Sequence, residues 1–411
     1  MKIVLLPVLF MSSLLSSCDK TVMDDLPGDP VSITIEAFQK DIISSANRIA
    51  FELFKPAVLE GKGAENIMIS PFSITSALSM TLNGAREGTF DAMLKALGLE
   101  SKALQEINET YLKLLTEMVP VDEHVAVEIA NSVWIEKRLS VKKAFISTLR
   151  KWYKAEAFNI DVNDANAVNM VNGWIAGKTH DKITEMLDYL DPDLAMLLIN
   201  AIYFNGKWRY QFDKENTKDE PFFVTPSAPE NVPTMHIREN LKVADVDDAT
   251  IAEIPYGRGN YTMIVVLPAE NTTAEKITAG LTQEIWNSWL DLLGDNTTEV
   301  DLSIPRFKYK YKRNLNEDLI NLGMGVAFTG AADFSNISEQ DLMISRVLHE
   351  TFIETTEEGT EAAAATVVEI RVTSMPVIRE VRLDRPFLYF IREVSTGTIL
   401  FAGKVGDPGS N

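Results

Sequence analysis

The chain has 411 residues, 46% hydrophobic, 24% charged and 9% aromatic, which are globular proportions and exclude disordered, collagenous and coiled-coil classes. Lys and Arg number 39 against 59 Asp and Glu, so a formal charge of −20 repels phosphate backbones and argues against nucleic acid as a partner. A single cysteine, Cys18, excludes a disulfide scaffold and a Cys-rich zinc site. None of the four histidines (His124, His180, His236, His349) sits at His-Glu-x-x-His spacing, so no metal and no cofactor is expected.

Residues 1–17 have one Lys followed by an apolar run too short to cross a bilayer, the form of a secretory signal. Leu15-Ser16-Ser17-Cys18 resembles the lipobox of bacterial lipoproteins. The resemblance implies cleavage before Cys18, acylation of its thiol, and anchoring in a bacterial envelope or at the cell surface, from which the protein is also open to release. A plain signal peptide with an incidental cysteine is the competing reading. Residues 18–34 hold four Asp, two Pro and one Gly in their first fourteen positions and read as a flexible tether. No later apolar run reaches the length of a membrane helix.

Helical periodicity over 35–54 places Phe38, Ile42, Ala46, Ile49 and Leu53 on one face. Residues 67–70 form a short buried strand, and Pro71 suits the first turn of the helix after it. A strand over 125–135, a helix over 142–152, a helix over 168–188 and a buried strand over 197–204 follow. Residues 252–256 and 261–267 pair across the glycine-bearing turn GRGN. A strand over 300–304 closes at Pro305, and two apolar strands, 386–392 and 398–404, end the chain. Helices early and strands late favour an α+β fold. At roughly 150 residues per domain the length allows two or three domains, or one large domain of mixed structure.

The run Gly173-Trp-Ile-Ala-Gly-Lys-Thr179 has three residues between its glycines where a phosphate loop needs four, and it carries helical periodicity. No Gly-x-Ser-x-Gly elbow is present. An enzyme is therefore not expected.

Residues 357–374, EEGTEAAAATVVEIRVTS, behave like neither core nor loop. As a strand, one face carries Thr360, Ala362, Ala364, Thr366, Val368, Ile370 and Val372 with no charge. The other face carries Glu361, Ala363, Ala365, Val367, Glu369, Arg371 and Thr373. The Ala-rich stretch suits a helix equally well, so a segment compatible with two environments points to a conformational switch.

Glu357-Glu-Gly-Thr-Glu-Ala-Ala-Ala-Ala-Thr366 resembles the reactive-loop hinge of inhibitory serpins. Asn66-Ile-Met-Ile-Ser-Pro-Phe-Ser-Ile74, Leu82-Asn-Gly-Ala85, Asn131-Ser-Val-Trp134 and Leu198-Ile-Asn-Ala-Ile-Tyr-Phe-Asn-Gly-Lys-Trp208 resemble further blocks of that family in the same order. Leu383-Asp-Arg-Pro-Phe387 and Leu400-Phe-Ala-Gly-Lys404 resemble its C-terminal signature.

The resemblance implies that residues 35–408 form a single domain, with helices packed on a large mixed central sheet, smaller sheets and an exposed reactive loop over about 357–380. It places Ser70, Ser73, Asn200 and His349 in the shutter beneath that sheet, Trp208 in the breach where insertion starts, and the pivot at Gly359. One departure is Thr179-His-Asp-Lys-Ile183, where the family reads Thr-x-Gly-Lys-Ile.

The implied activity is suicide inhibition of serine proteases, with cysteine proteases as a second class. Hinge counting puts the scissile bond at Thr373-Ser374, which suits elastase-like or subtilisin-like enzymes. Counting back from Pro386 gives Met375-Pro376, a poor protease bond. Arg371 and Val372 are alternatives, Arg371 for trypsin-like enzymes. A non-inhibitory serpin acting as a carrier is the competing reading. No basic helix is apparent for a glycosaminoglycan, and a monomer is expected.

Overall fold

In the computed structural model, which describes residues 28–61, 64–360 and 378–410, α1 (Ala37–Glu60) runs six residues beyond the expected span, through Pro56. Its apolar face buries Ile42, Ile49, Leu53 and Phe54, and Phe51 and Phe54 pack edge-on against Phe390. β1 (Ile67–Ile69) leads into α2 (Pro71–Leu82), where Pro71 takes the first turn and the Ser73 amide donates to Ser70 Oγ at 3.3 Å. Neither α3 (Glu87–Leu97) nor α4 (Leu104–Lys113) was read from the sequence, and the helices over 274–280 and 283–293 were missed as well. β2 (Val125–Glu136), α5 (Lys143–Tyr153) and β3 (Glu156–Ile160) follow, then α6 (Ala167–Lys178) and β4 (Met196–Lys207).

The second half is strand-rich. β5 (Lys218–Thr225), β6 (Ala228–Val246), β7 (Ala249–Tyr256) and β8 (Tyr261–Pro268) precede α7 (Ala274–Gly280) and α8 (Gln283–Leu293). β9 (Thr298–Pro305), β10 (Phe307–Asn314) and the short α9 (Asn316–Leu319) lead to β11 (Leu348–Thr356) and β12 (Gly359–Thr360). β13 (Arg379–Arg382), β14 (Phe387–Glu393) and β15 (Ile399–Val405) close the chain. The expected hairpin is β7 with β8, its turn made by Gly257 and Gly259 at φ +45° and +94°.

The strands form two sheets. One has the order β1-β15-β14-β8-β7-β6-β9-β13, with β5 paired to β6. The other has the order β10-β11-β12-β4-β2-β3 and is mixed, because β3 lies parallel to β2 while the other pairs are antiparallel. Helices and two mixed sheets make an α+β fold, as expected.

Three expectations change. The helix expected over 168–188 ends at Lys178, because His180 and Asp181 take left-handed φ of +49° and +60° and Asp181 N–H bonds back to Ala176 O. Residues 28–34, expected as tether, run along the protein. The Asn260 amide pairs both backbone groups of Val31, and Ile33 is buried with its N–H on Ser395 Oγ. Finally, α5 is a basic helix: Lys143, Arg150, Lys151 and, at its C-cap, Lys154 are all exposed. Apolar residues between these cations hide the pattern in the linear sequence.

Candidate functional site: a slot in the central sheet and its hinge

β4 pairs with β2 from Val125↔Gly206 to Ile135↔Met196, and β11 pairs with β10 from Phe307↔Thr355 to Asn314↔Leu348. Their facing edges are joined only through β12, whose two residues sit between Thr355–Thr356 of β11 and Gly206–Lys207 of β4. Below β12, among the described residues, neither edge pairs with a strand. Unpaired backbone groups along two facing edges are a template for one more strand.

The upper end of this slot is closed by a dense set of contacts. Trp208 Nε1 donates to Thr356 O at 2.9 Å, and its amide donates to Glu358 O at 2.9 Å. The indole stacks on Tyr256, with centroids 4.3 Å apart and planes 10° from parallel. Tyr256 OH in turn hydrogen-bonds Thr360 Oγ1 at 2.8 Å, so the first hinge side chain is already seated and 3% exposed. Burial pushes the Tyr256 phenol up, against the pull of that bond, so it stays protonated.

Gly359 has φ +149°, and a Cβ there would lie 2.0 Å from Gly206 O and 2.7 Å from Lys207 Cα. No other residue fits between the strands without moving backbone. The preceding glutamates are each held by a cation. Glu357 accepts from Arg306 Nε at 2.8 Å and Nη2 at 2.5 Å and from Thr217 Oγ1 at 2.5 Å. Burial raises its carboxyl, but Arg306 and Thr217 outweigh burial and hold it below the usual range. Glu358 pairs with Lys214 at 2.5 Å.

The lower part of the slot is bordered by the predicted shutter residues. The Ser70 amide donates to His349 Nε2 at 2.9 Å, which ties the start of α2 to β11. His349 is fully buried, and burial lowers its pKa to about 4. Asn200 joins this group differently: its Nδ2 donates to Asn131 Oδ1 at 2.6 Å, and Asn131 Nδ2 reaches Tyr153 O at 2.7 Å. Asn200 Oδ1 is buried without a partner. Ser73, Asn200 and His349 together line a cavity of about 50 Å³, with room for a water.

Ser70, Ser73, Asn200, His349, Trp208, Glu357, Gly359 and Thr360 thus border one slot. Cys18, Ala362, Ala363, Ala364, Ala365, Thr366, Arg371, Val372, Thr373, Ser374 and Met375 lie outside the described residues. Sequence reasoning missed Tyr256, Arg306, Lys214 and Asn131 as parts of the site. Tyr256 read as a hairpin end and Arg306 as the residue after a strand-closing proline, so neither carried a signal.

A family model described as Serpin (serine protease inhibitor) matches residues 44–408. The chain is 34% identical to an uncharacterized serpin-like protein of Methanosarcina acetivorans, over 90% of this chain and 88% of that one. It is equally 34% identical to the human leukocyte elastase inhibitor, covering 89% of this chain and 99% of the relative. Among solved structures, the thermophilic serpin tengpin in its native state matches with TM-score 0.82 and 34% identity, over 94% of this chain and 98% of tengpin. Human thyroxine-binding globulin, solved with its hormone, matches with TM-score 0.83 and 29% identity, over 91% of this chain and all of the globulin.

Proposed function

Because the chain belongs to the serpin family, we propose that it is a suicide inhibitor of serine proteases, with cysteine proteases as a second target class. The observation that carries this reading is the slot between β4 and β11, seeded at its top by Gly359 and Thr360. Continued as a strand, the alternation of Glu361 to Thr366 would put Ala362, Ala364 and Thr366 on the same face as Thr360, so this face can enter the slot without burying a charge.

The mechanism follows from this arrangement. A protease nucleophile attacks the carbonyl of Thr373, forms an acyl-enzyme and releases the chain that starts at Ser374. The freed segment adds to the seeded strand and pairs with both open edges, drawing the attached protease along. Distortion of the protease's oxyanion hole then stalls deacylation. Thr373 suits elastase-like or subtilisin-like pockets. Arg371 offers a trypsin-like enzyme a strand two residues shorter and less effective trapping.

Incubation with elastase followed by a denaturing gel tests the reading. The expected result is a covalent band stable to SDS. Thr360→Arg, which forces a charge beside Tyr256, should turn the inhibitor into a substrate. Clean cleavage at 373–374 with no complex would favour the second reading, a non-inhibitory binding serpin, which the likeness to thyroxine-binding globulin supports.

A further inference from the structure

The segment that follows α6 packs on both edges of the slot. Ile183, Met186 and Leu187 share one small core with Ile199 of β4 and with Leu348 and Phe352 of β11. Arg346, half-buried just before β11, ties this segment down. Its Nη2 donates to Tyr189 O at 3.0 Å, and its guanidinium sits 4.6 Å from the Tyr189 ring centroid. Among the described residues Arg346 meets no carboxylate. A carbonyl and a ring face give it no opposite charge, although its planar fork suits a carboxylate.

The register of the slot says which residue reaches this guanidinium. β12 pairs antiparallel with both neighbours, Thr360 facing Gly206 of β4 and Thr355 of β11. Both edges keep their register to the lower end. Glu136 N–H to Ala195 O continues the β2–β4 ladder, and Leu315 N–H to Val347 O continues the β10–β11 ladder. The occupant of the slot is residues 361–373 of the same chain, which lie outside the described residues. Continued from β12 one residue at a time, they bring Thr366 opposite Asn200 and His349, and Val367 opposite Ile199 and Leu348. A hydroxyl thereby meets the buried, unpartnered Asn200 Oδ1, and an apolar side chain meets the small core, so this register suits both faces of the sheet. Two residues further on, Glu369 comes opposite Leu197 and Arg346, on the outer face that carries the Tyr189 contact.

We propose that Arg346 locks the inserted strand: it holds Tyr189 across the empty slot and exchanges that contact for the Glu369 carboxylate when the loop arrives. The proposal rests on the insertion reading above and adds to it the residue pair that fixes the strand's lower end. The other outward charges find no such mate. Glu361 comes opposite Asn205 and Glu354, a like charge already held by Lys308 at 3.1 Å. Arg371 comes opposite Ala195 and Ile344. Unlike charges directly opposed on neighbouring strands attract and like ones repel, so the sheet favours Glu369 alone of the three. The exchange also loosens the segment around Tyr189, beneath which the strand has to pass.

The test measures the unfolding temperature of the full chain, intact and after limited elastase cleavage, in wild type, Glu369→Arg, Arg346→Glu and the double swap. Mass spectrometry checks that all four are cut at the same bond. The cleaved form of each single variant should unfold about 2 °C or more below cleaved wild type, and the double swap should recover most of that loss. Arg346→Glu should also lower the intact midpoint, through Tyr189, whereas Glu369→Arg alters neither partner of that contact and reads the inserted form alone. The lock is overturned, with the insertion reading left standing, if wild type gains stability on cleavage and the cleaved single variants match it, or if the double swap recovers nothing. If wild type itself gains nothing on cleavage, the insertion reading fails and the lock with it.

Discussion

His349 accepts the Ser70 amide proton through Nε2, which requires the neutral ring with its own proton on Nδ1. Burial holds its pKa near 4, against about 6.5 in the unfolded chain. The folded state therefore binds this proton more weakly than the unfolded state does. The stability tied to the neutral ring is complete above pH ~6.5 and is lost as pH falls toward 4, in total about 3 kcal/mol. Urea midpoints should drop between pH 7 and pH 5 by an amount equivalent to about 2 kcal/mol. His349→Gln should flatten that drop; an unchanged pH profile in this variant would show that His349 is not the group responsible. The slot should open more readily as well, since the same proton breaks the bond between β11 and α2. At this scale the sequence was uneven: Ser70, Ser73 and Asn200 stand inside quoted motifs and His349 was carried over by the family resemblance, whereas Asn131 and Tyr256 act through partners more than 60 residues away, Asn200 and Thr360. No local pattern reports such a partner.

The segment 168–188 shows why an element is misread when its hydrophobic positions are right. Val171 and Ile175 on α6, and Ile183, Met186 and Leu187 after it, all enter one small core with Trp134. The apolar spacing continues past Lys178 because the turn doubles the chain back over the same core, and Asn172 pairs both backbone groups of Leu187. Asp181, at φ +60°, stands where the resembled motif has glycine, the residue that takes this conformation most easily, so the departure falls at the helix end. β10 makes a different point. It is the outer strand of the central sheet and alternates buried Phe307, Tyr309 and Tyr311 with exposed Lys308, Lys310 and Lys312. A row of lysines on an edge strand opposes edge-to-edge pairing between molecules. Changing all three to Val should keep the fold and promote self-association, visible as larger species on gel filtration relative to wild type. If that variant elutes as wild type does, the lysines have no such protective role. The alternation stands in the sequence, yet no strand was read there, and only the sheet order identifies β10 as an edge.

At the scale of the molecule, the described residues hold a six-stranded sheet that is incomplete between its second and fourth members. β11 offers nine residues and β4 twelve, of which β12 covers two at the top. Among the described residues the remainder pairs with no strand, while residues 361–373, placed as a strand, would give Ala362, Ala364, Thr366, Val368, Ile370 and Val372 to the same charge-free face as Thr360. A closed loop held at both ends, by β12 and by β13 on β9, cannot enter fully, since its far end is fixed in the other sheet. Cutting between Thr373 and Ser374 removes that constraint. Insertion of about ten residues between two open edges, at a net 0.5–1.5 kcal/mol per hydrogen bond, stabilises the cleaved form by on the order of 10 kcal/mol. The cleaved protein should therefore unfold at a much higher temperature than the intact one, although a nicked chain is ordinarily the less stable. Calorimetry before and after limited elastase treatment measures the difference, and Thr360→Arg should reduce it by blocking the first step. An unchanged or lower midpoint after cleavage would mean that the slot does not accept the loop, and the inhibitory mechanism would fall with it.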